Sequence, residues 1–218
     1  MQNPRIYQLL GFPRLYLWAA ELLYHRFAWA YDAVAWVVSL GYWSRWRRDA
    51  LHYLLPGLIL ETGFGTGALL IEMVQRGHNV IGLEPSKQMH EVTRRKTARK
   101  NVQAKLVNGR TQHLPFKDKI FNTVLSTFPT NYIFEKDTQH EIFRVLELGG
   151  RWVIIGVGVD YKSALINWLV GWFLGKMDHP WMQTFMQCAC EVGFRFSVIE
   201  HETEAYSLPV ILLERTND

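Results

Sequence analysis

The stretch "ILETGFGTGALL", Ile59 to Leu70, decides the fold. Its three glycines, Gly63, Gly65 and Gly67, alternate with other residues between an apolar run that suits a strand and one that suits a helix. A carboxylate, Glu61, stands just ahead of them. A strand, a bare glycine loop and a helix in that order bring backbone close to a ligand at the carboxyl edge of a parallel sheet. Glycine at such a turn also has a purely structural use, because it takes positive φ and allows close packing.

Outward from this loop the apolar pattern switches between short runs and helical periods. "LILE" and "NVIGLE" read as buried strands, each followed by a helix, "ALLIEMVQRG" and "SKQMHEVTRRKTARK". Gly77 supplies the stop of the first helix and Ser86 the cap of the second. "AKLV", "FNTVLSTF" and "RWVIIGVG" continue the strands, with "KDTQHEIFRVLELGG" read as helix and turn before the last of these. "FRFSVIEHE" and "YSLPVILLER" follow one another without a helix and read as an antiparallel hairpin. Residues 1–55 are aromatic and helical in character, with no linker before "PGLILE". The expectation is an α/β, Rossmann-like, seven-stranded and mostly parallel sheet over residues 56–218, closed by the hairpin and carrying residues 1–55 as a helical cap of the same domain.

The glycines alone admit more than one ligand. A phosphate-gripping loop needs Gly-Lys-Ser/Thr, which Gly67-Ala68-Leu69 lacks. Gly63, Gly65 and Ala68 do satisfy G-x-G-x-x-A, and Glu84 follows at about the 20-residue distance of a ribose-binding acid, so a nicotinamide dinucleotide and an oxidoreductase stay in view. Glu61 favours a different ligand. Its carboxylate would repel a pyrophosphate and attract an ammonium group, while Glu84 can take ribose hydroxyls. S-adenosylmethionine carries a ribose, an adenine and an ammonium, and no phosphate.

"LETGFGTG", "VIGLEPSKQM", "HLPFKDKIFNTVLSTF" and "VLELGGRWVIIG" together resemble the successive motifs of class I S-adenosylmethionine-dependent methyltransferases, nearest to the branch of the ubiquinone and menaquinone C-methyltransferases. "YHRFAWAYDAV" is similar to that family's Tyr-Asp segment. The resemblance implies that Glu61, Gly63, Gly65 and Gly67 hold the aminoacyl end of the cofactor, that Glu84 holds the ribose with Pro85 and Ser86 beside it, and that Ser126 and Thr127 border the methionine part. Many relatives carry Gly-Asp-Ala after the third strand where this chain has Gly109-Arg110-Thr111. Arg110 cannot accept a hydrogen bond, so Thr111, Gln112 or a backbone carbonyl is expected to read the adenine. Asn122 likewise replaces a common Asp. These two departures also motivate a rival in which the fold binds cofactor as a catalytically inactive interaction protein.

No residue declares itself a general base. His113, His179, Tyr31 and Tyr132 are the candidates, each with an ordinary structural reading as a surface or core side chain. The two cysteines, Cys188 and Cys190, sit two apart on a helical stretch and face different ways, which argues against a disulfide or a metal pair. No metal site is expected, and a reducing, cytoplasmic setting is. The start lacks the pattern of a signal peptide, and the uncharged runs fall short of the ~20 residues that span a bilayer.

The net charge of +4 is mild, with basic runs in "SRWRRD" and "RRKTARK" that suit solvated helix faces better than nucleic acid. The nine tryptophans are informative. Trp18, Trp29, Trp36, Trp43 and Trp46 fall in the cap, and Trp168, Trp172 and Trp181 near "SALINWLVGWFLGKM". With Arg45, Arg47, Arg48 and Lys176 at its rim, this aromatic surface suits an apolar mouth that touches an anionic membrane without crossing it. The expected acceptor is a quinone-like, lipid or other apolar small molecule, and the expected location cytoplasmic with peripheral contact at the inner membrane face.

Overall fold

A computed structural model describes residues 31–163 and 180–216. The apolar run at the glycine loop forms β1 (Leu58–Thr62), which pairs in parallel with β2 (Asn79–Glu84) on one side and β4 (Phe121–Thr127) on the other. Beyond β2 lies β3 (Lys105–Asn108), and beyond β4 lies β5 (Leu146–Ile155), both also parallel. The hairpin β7 (Phe194–Glu202) and β8 (Tyr206–Arg215) completes the sheet, with β8 antiparallel to β5 and to β7. All seven strands read from the sequence are present. An eighth, the two-residue β6 (Asp160–Tyr161), pairs with the start of β8. Ser207 of β8 faces both Asp160 and Glu202, so β6 continues the edge that β5 uses.

Side-chain alternation assigns the two faces. Leu60, Val124, Trp152 and Ile154 point to one side, where they meet α5 (Lys136–Val145) and α6 (Pro180–Val192) through Ile142, Val145, Phe185 and Ala189. Ile59, Leu125, Val153 and Ile155 point to the other, against Leu69, Leu70 and Met73 of α3 (Ala68–Gln75). The same cluster includes Trp46 of α2 (Trp43–Asp49) and Ala50 of the 3-10 turn that follows. The part of the cap that is described, α1 (Tyr31–Val38) and α2, thus reaches the core through an indole. Tyr206 Oη donates to Asp49 at 2.6 Å and ties α2 to the hairpin.

Two helix ends match their sequence signals. Gly77 has φ +84 just past α3, and the Ser86 hydroxyl accepts from Met89 N at the start of α4 (Lys87–Lys100). A third does not. "LELGG" reads as the end of a helix and its turn, but α5 stops at Val145 and Leu146 already faces Phe121 across the sheet. The stop comes from outside the segment. Arg215 Nη1 donates to the carbonyls of Phe143, Arg144 and Leu146, and its guanidinium lies 4.4 Å from the Phe143 ring centre. Arg144 O also accepts from Lys119 N at 3.0 Å, so the helix end is met both by β8 and by the segment before β4. The strand then slips register between Phe121 and Thr123, near Gly149 at φ +75.

Candidate functional site

The carboxyl ends of β1, β2 and β4 open on the loop Gly63–Gly67. Gly65 has φ +53, and a Cβ there would meet nothing within 4 Å. Its glycine is needed for backbone conformation, and the space above it is open. Gly67, the N-cap of α3 at φ +69, is required twice, because a Cβ would also come within 2.3 Å of the Thr93 methyl. The loop is held from four directions. Gly63 N donates to Leu83 O at 2.7 Å, and Gly65 N to Glu84 Oε2 at 3.0 Å. Thr93 Oγ1 donates to Gly65 O at 3.1 Å, and Thr66 Oγ1 to Asp32 Oδ1 at 2.7 Å.

The two acids differ in satisfaction. Glu84 is fully buried, and its carboxylate accepts from Gly65 N and, at 2.9 Å, from Ser86 N. Glu61 is 1% exposed and its Oε2 has no hydrogen-bond partner. Burial pushes the Glu61 carboxyl up to about 8; the Arg47 charge opposes this and the Glu84 charge adds to it. Arg47 is itself half-buried, and burial draws its guanidinium below the usual value against the pull of Asp32 and Glu61. A buried, unpartnered carboxylate oxygen is costly unless a donor reaches it. An ammonium group is such a donor, and Glu61 stands at the end of β1, two residues before the loop that is open over Gly65. These residues fit an aminoacyl cofactor.

Beneath the loop runs a chain of hydroxyls. Trp152 Nε1 donates to Ser126 Oγ at 2.9 Å, Ser126 and Thr62 share a 2.6 Å hydrogen bond, and Thr62 Oγ1 lies 3.2 Å from Tyr132 Oη. Tyr132 comes from a 3-10 turn (Asn131–Phe134) after β4, and a Cβ on Gly63 would sit 3.5 Å from its hydroxyl. Burial pushes the phenol up to about 12, which favours its neutral form. Ser126 is consumed by this chain and is wholly buried. Past it, Phe128 takes φ +47, unusual for a residue with a side chain. Its ring stacks on Trp43 of α2 with centroids 3.9 Å apart, and Tyr31 meets Trp43 edge-on at 6.4 Å. Tyr31, Trp43 and Phe128 form an aromatic wall from the cap to the end of β4.

The remaining candidates separate. Thr127, half-buried, ends β4, and Pro85 is exposed at the end of β2, its carbonyl accepting from Asn108 Nδ2. Thr111 is buried beyond β3, next to the exposed Arg110, while Gly109 N reaches Glu84 O at 3.4 Å. His113 is exposed and stands by Glu141, whose carboxyl is held low chiefly by its hydrogen bond from Arg144 and also by His113. Gln112 is engaged by Glu135 at 2.8 Å. Asn122 lies at the opposite, amino edge of the sheet, where Oδ1 accepts from Leu58 N and Nδ2 donates to Glu147. Its departure from the common Asp is remote from the loop. His179, Trp18, Trp29, Trp168, Trp172 and Lys176 fall outside the described residues, as does the side chain of Trp181. Among the described residues no group of three or more His, Cys, Asp or Glu could hold a metal ion, and no helix is long and apolar enough to cross a membrane.

Asp32, Lys96, Thr93 and Arg47 surround the loop from outside its motif. Asp32 pairs with Lys96 of α4 as well as with Thr66, so α1 is fastened over the glycine loop. The sequence signals Asp32 through the Tyr31-Asp32 pair and Arg47 and Lys96 through the basic runs that hold them, and gives no signal for Thr93.

The comparisons agree with this geometry. A family described as "Methyltransferase domain" matches residues 59–150. The demethylmenaquinone methyltransferase of Symbiobacterium thermophilum is 31% identical over 71% of this chain and 69% of its own length. Its counterpart in Lactiplantibacillus plantarum is 31% identical over 74% and 72%, while the match covers 64% of the Thermus thermophilus enzyme. Among solved structures, the geranyl diphosphate C-methyltransferase of Streptomyces coelicolor, with S-adenosylhomocysteine bound, superposes with a TM-score of 0.60 at 13% identity over 79% of each chain. A Methanococcus maripaludis protein assigned to the S-adenosylmethionine-dependent methyltransferases gives 0.65 at 19% identity, over 88% of this chain and 93% of its own. The chain belongs to the class I S-adenosylmethionine-dependent methyltransferases. It is a methyltransferase of that cofactor, with relatives of the demethylmenaquinone type, and the oxidoreductase and inactive readings give way.

Proposed function

We propose that the protein methylates an apolar small molecule, quinone-like or lipid-like, held between the described part of the cap and the carboxyl edge of the sheet, at or near a membrane surface. The observation that carries this is the aromatic wall: the Trp43–Phe128 stack puts apolar faces at the end of β4, where the methionine part of the cofactor belongs. The names of the curated relatives, which methylate a demethylmenaquinone, support an acceptor of this kind.

In this reading Glu61 takes the cofactor ammonium, with Gly63, Gly65 and Gly67 leaving room for the chain behind it. Glu84, each of whose carboxylate oxygens has a second lone pair, would accept from ribose hydroxyls while it keeps the Gly65 and Ser86 amides. Thr111 or a nearby backbone group reads the adenine, since Arg110 cannot accept. The bound cofactor supplies an electrophilic methyl on a sulfonium. What remains for the chain is to align the acceptor and exclude water. Tyr31, Trp43 and Phe128 offer ring faces to a cationic centre. Tyr132, being neutral, orients by hydrogen bonding and does not remove a proton. Residues 1–55 act as the cap of one domain whose core is 56–218.

The test is a screen with a labelled methyl donor against lipid extracts and quinone-like, phenolic and polar acceptors. Transfer to apolar acceptors is expected. Methylation confined to polar, water-soluble acceptors would remove this reading.

A further inference from the structure

Helix α1 and the turn after it leave large apolar side chains at the surface, where a helix ordinarily turns its apolar stripe to the core. The polar groups of this segment are engaged by the fold. Asp32 bonds Thr66 and Lys96, and Ser39, just past the helix, is buried with its hydroxyl accepting from Trp43 N and its carbonyl from Tyr161 Oη. Its apolar groups turn outward. Trp36 and Val37 are each 62% exposed, Leu40 53% and Val34 36%. These are four of the eight large apolar side chains exposed among the described residues, and they fall within seven positions. Trp36 is braced there, its indole Nε1 lying 3.2 Å from where a Cβ on Gly41 would stand. Clustered exposed apolar groups of this kind mark a contact surface.

The flank of α1 is basic. One groove beside it is lined by Asp32, Lys96, Arg99 and Lys100. The next, sharing Ala68 and Lys100, adds Arg47 and Arg48. The two acids there, Asp32 and Glu72, are already paired with Lys96 and Arg76, so the positive charge of Arg48, Arg99 and Lys100 is left over. An apolar strip edged by unneutralised cations complements acyl chains below and phosphates above.

We propose that the outer face of α1 and the turn after it dock on an anionic phospholipid bilayer, with Val34, Trp36, Val37 and Leu40 in the interface and Arg48, Arg99 and Lys100 against the headgroups. This rests on the apolar-acceptor reading and gives it a route, since the docked face adjoins the cap that carries Trp43.

The experiment uses the full chain with S-adenosylhomocysteine and sedimentation with vesicles of phosphatidylglycerol in phosphatidylcholine, or of phosphatidylcholine alone. Binding to the anionic vesicles is expected to be at least about tenfold tighter and to fall in about 0.5 M salt. Trp36→Glu/Val37→Glu should weaken it about tenfold or more, and Arg99→Glu/Lys100→Glu several-fold with a shallower salt dependence. S-adenosylhomocysteine affinity within about twofold of the parent shows that the variants are folded. Equal binding to both vesicles, or variants that bind like the parent, overturns the proposal. So does a dimer in solution, without lipid, that Trp36→Glu dissolves, since a second copy would then own the face. Turnover of a detergent-dispersed acceptor separates the two ideas. Vesicle binding without methylation of any apolar acceptor supports docking and removes the acceptor reading. Parent and Trp36→Glu/Val37→Glu methylating vesicle-borne acceptor equally leaves the acceptor reading and overturns docking.

Discussion

Thr66, in the middle of the glycine loop, donates its hydroxyl to Asp32 of α1 at 2.7 Å, across 34 positions of sequence. The same carboxylate pairs with Lys96, 64 positions away on α4. One side chain therefore joins the cap, the glycine loop and the helix α4. Its carboxyl sits below the usual range: burial would raise it, and the Lys96 and Thr66 hydrogen bonds overcome that.

Asp32→Ala should cost about 1 kcal/mol of stability, the worth of a partly exposed hydrogen bond and ion pair. Its larger effect should fall on the cofactor. With Thr66 released, the loop loses its tie to the cap, and S-adenosylhomocysteine affinity should drop about three- to tenfold. Asp32→Asn, which can still accept from Thr66, should recover part of the affinity. Calorimetry on the two variants decides this. Equal losses would assign the effect to the Lys96 pair and not to the loop.

Glu61 makes a prediction about pH. Its folded carboxyl is raised from an ordinary 4.5 to about 8, so the folded chain holds a proton that the unfolded chain has released. That contribution is present below pH 4.5 and is lost as pH rises toward 8, by up to about 3 kcal/mol at pH 7. Glu61→Gln cannot ionise and should therefore gain on the parent in urea unfolding as pH goes from 5.5 to 7.5. Binding should move the opposite way. An ammonium requires the carboxylate, so the parent should release close to one proton on binding S-adenosylhomocysteine at pH 7, and Glu61→Gln none. Calorimetry in two buffers of different ionisation enthalpy reads the proton directly. No buffer dependence in the parent would place the ammonium elsewhere.

In this reading Glu84 serves the backbone of its own loop and a ribose at once. Glu84→Ala should weaken cofactor binding by about 2 to 3 kcal/mol, since charge-assisted hydrogen bonds are lost and the Gly65 amide is left without its acceptor. Glu84→Gln keeps an acceptor for one amide and should fall between. An affinity unchanged in Glu84→Ala, measured by calorimetry, would remove Glu84 from the ribose.

What was legible and what was not follow from the range of the interactions. Strands with one residue in each face, as Ile59 and Leu60, and turns that need glycine are local, so the sequence displayed them. The strand order needed the family's motifs. The early end of α5 was hidden because the group that ends it, Arg215, lies some 70 positions downstream in β8, the nearest of its carbonyls at |i−j| of 69. The Asp32 fastening was hidden for the same reason. Asn122 is a different case. As the second residue of β4 it has to lie at the amino edge, remote from the glycine loop, and that place follows from counting along "FNTVLST" alone. Ser126 was placed correctly along its strand, yet alternation turned its hydroxyl toward Trp152 and Thr62.

Tyr132 is the group closest to the glycine loop that could be mistaken for a base. Its hydroxyl lies 3.2 Å from Thr62 Oγ1 and 3.4 Å from Thr62 O. Burial holds the phenol at about 12, with the Glu84 and Glu61 charges adding to the rise and the Ser126 and Thr62 hydrogen bonds opposing it. A phenolate is thus scarce at pH 8. Tyr132→Phe keeps the ring and removes only the hydroxyl. As a positioning residue it should lower kcat by less than about tenfold, shift the cofactor KM modestly, and leave the shape of the pH–rate profile unchanged. A general base would show a loss of about 10²- to 10⁴-fold and a vanished limb in that profile. Steady-state kinetics from pH 6 to 10 on an identified acceptor separates the two, and the larger loss with a missing limb would make Tyr132 the base.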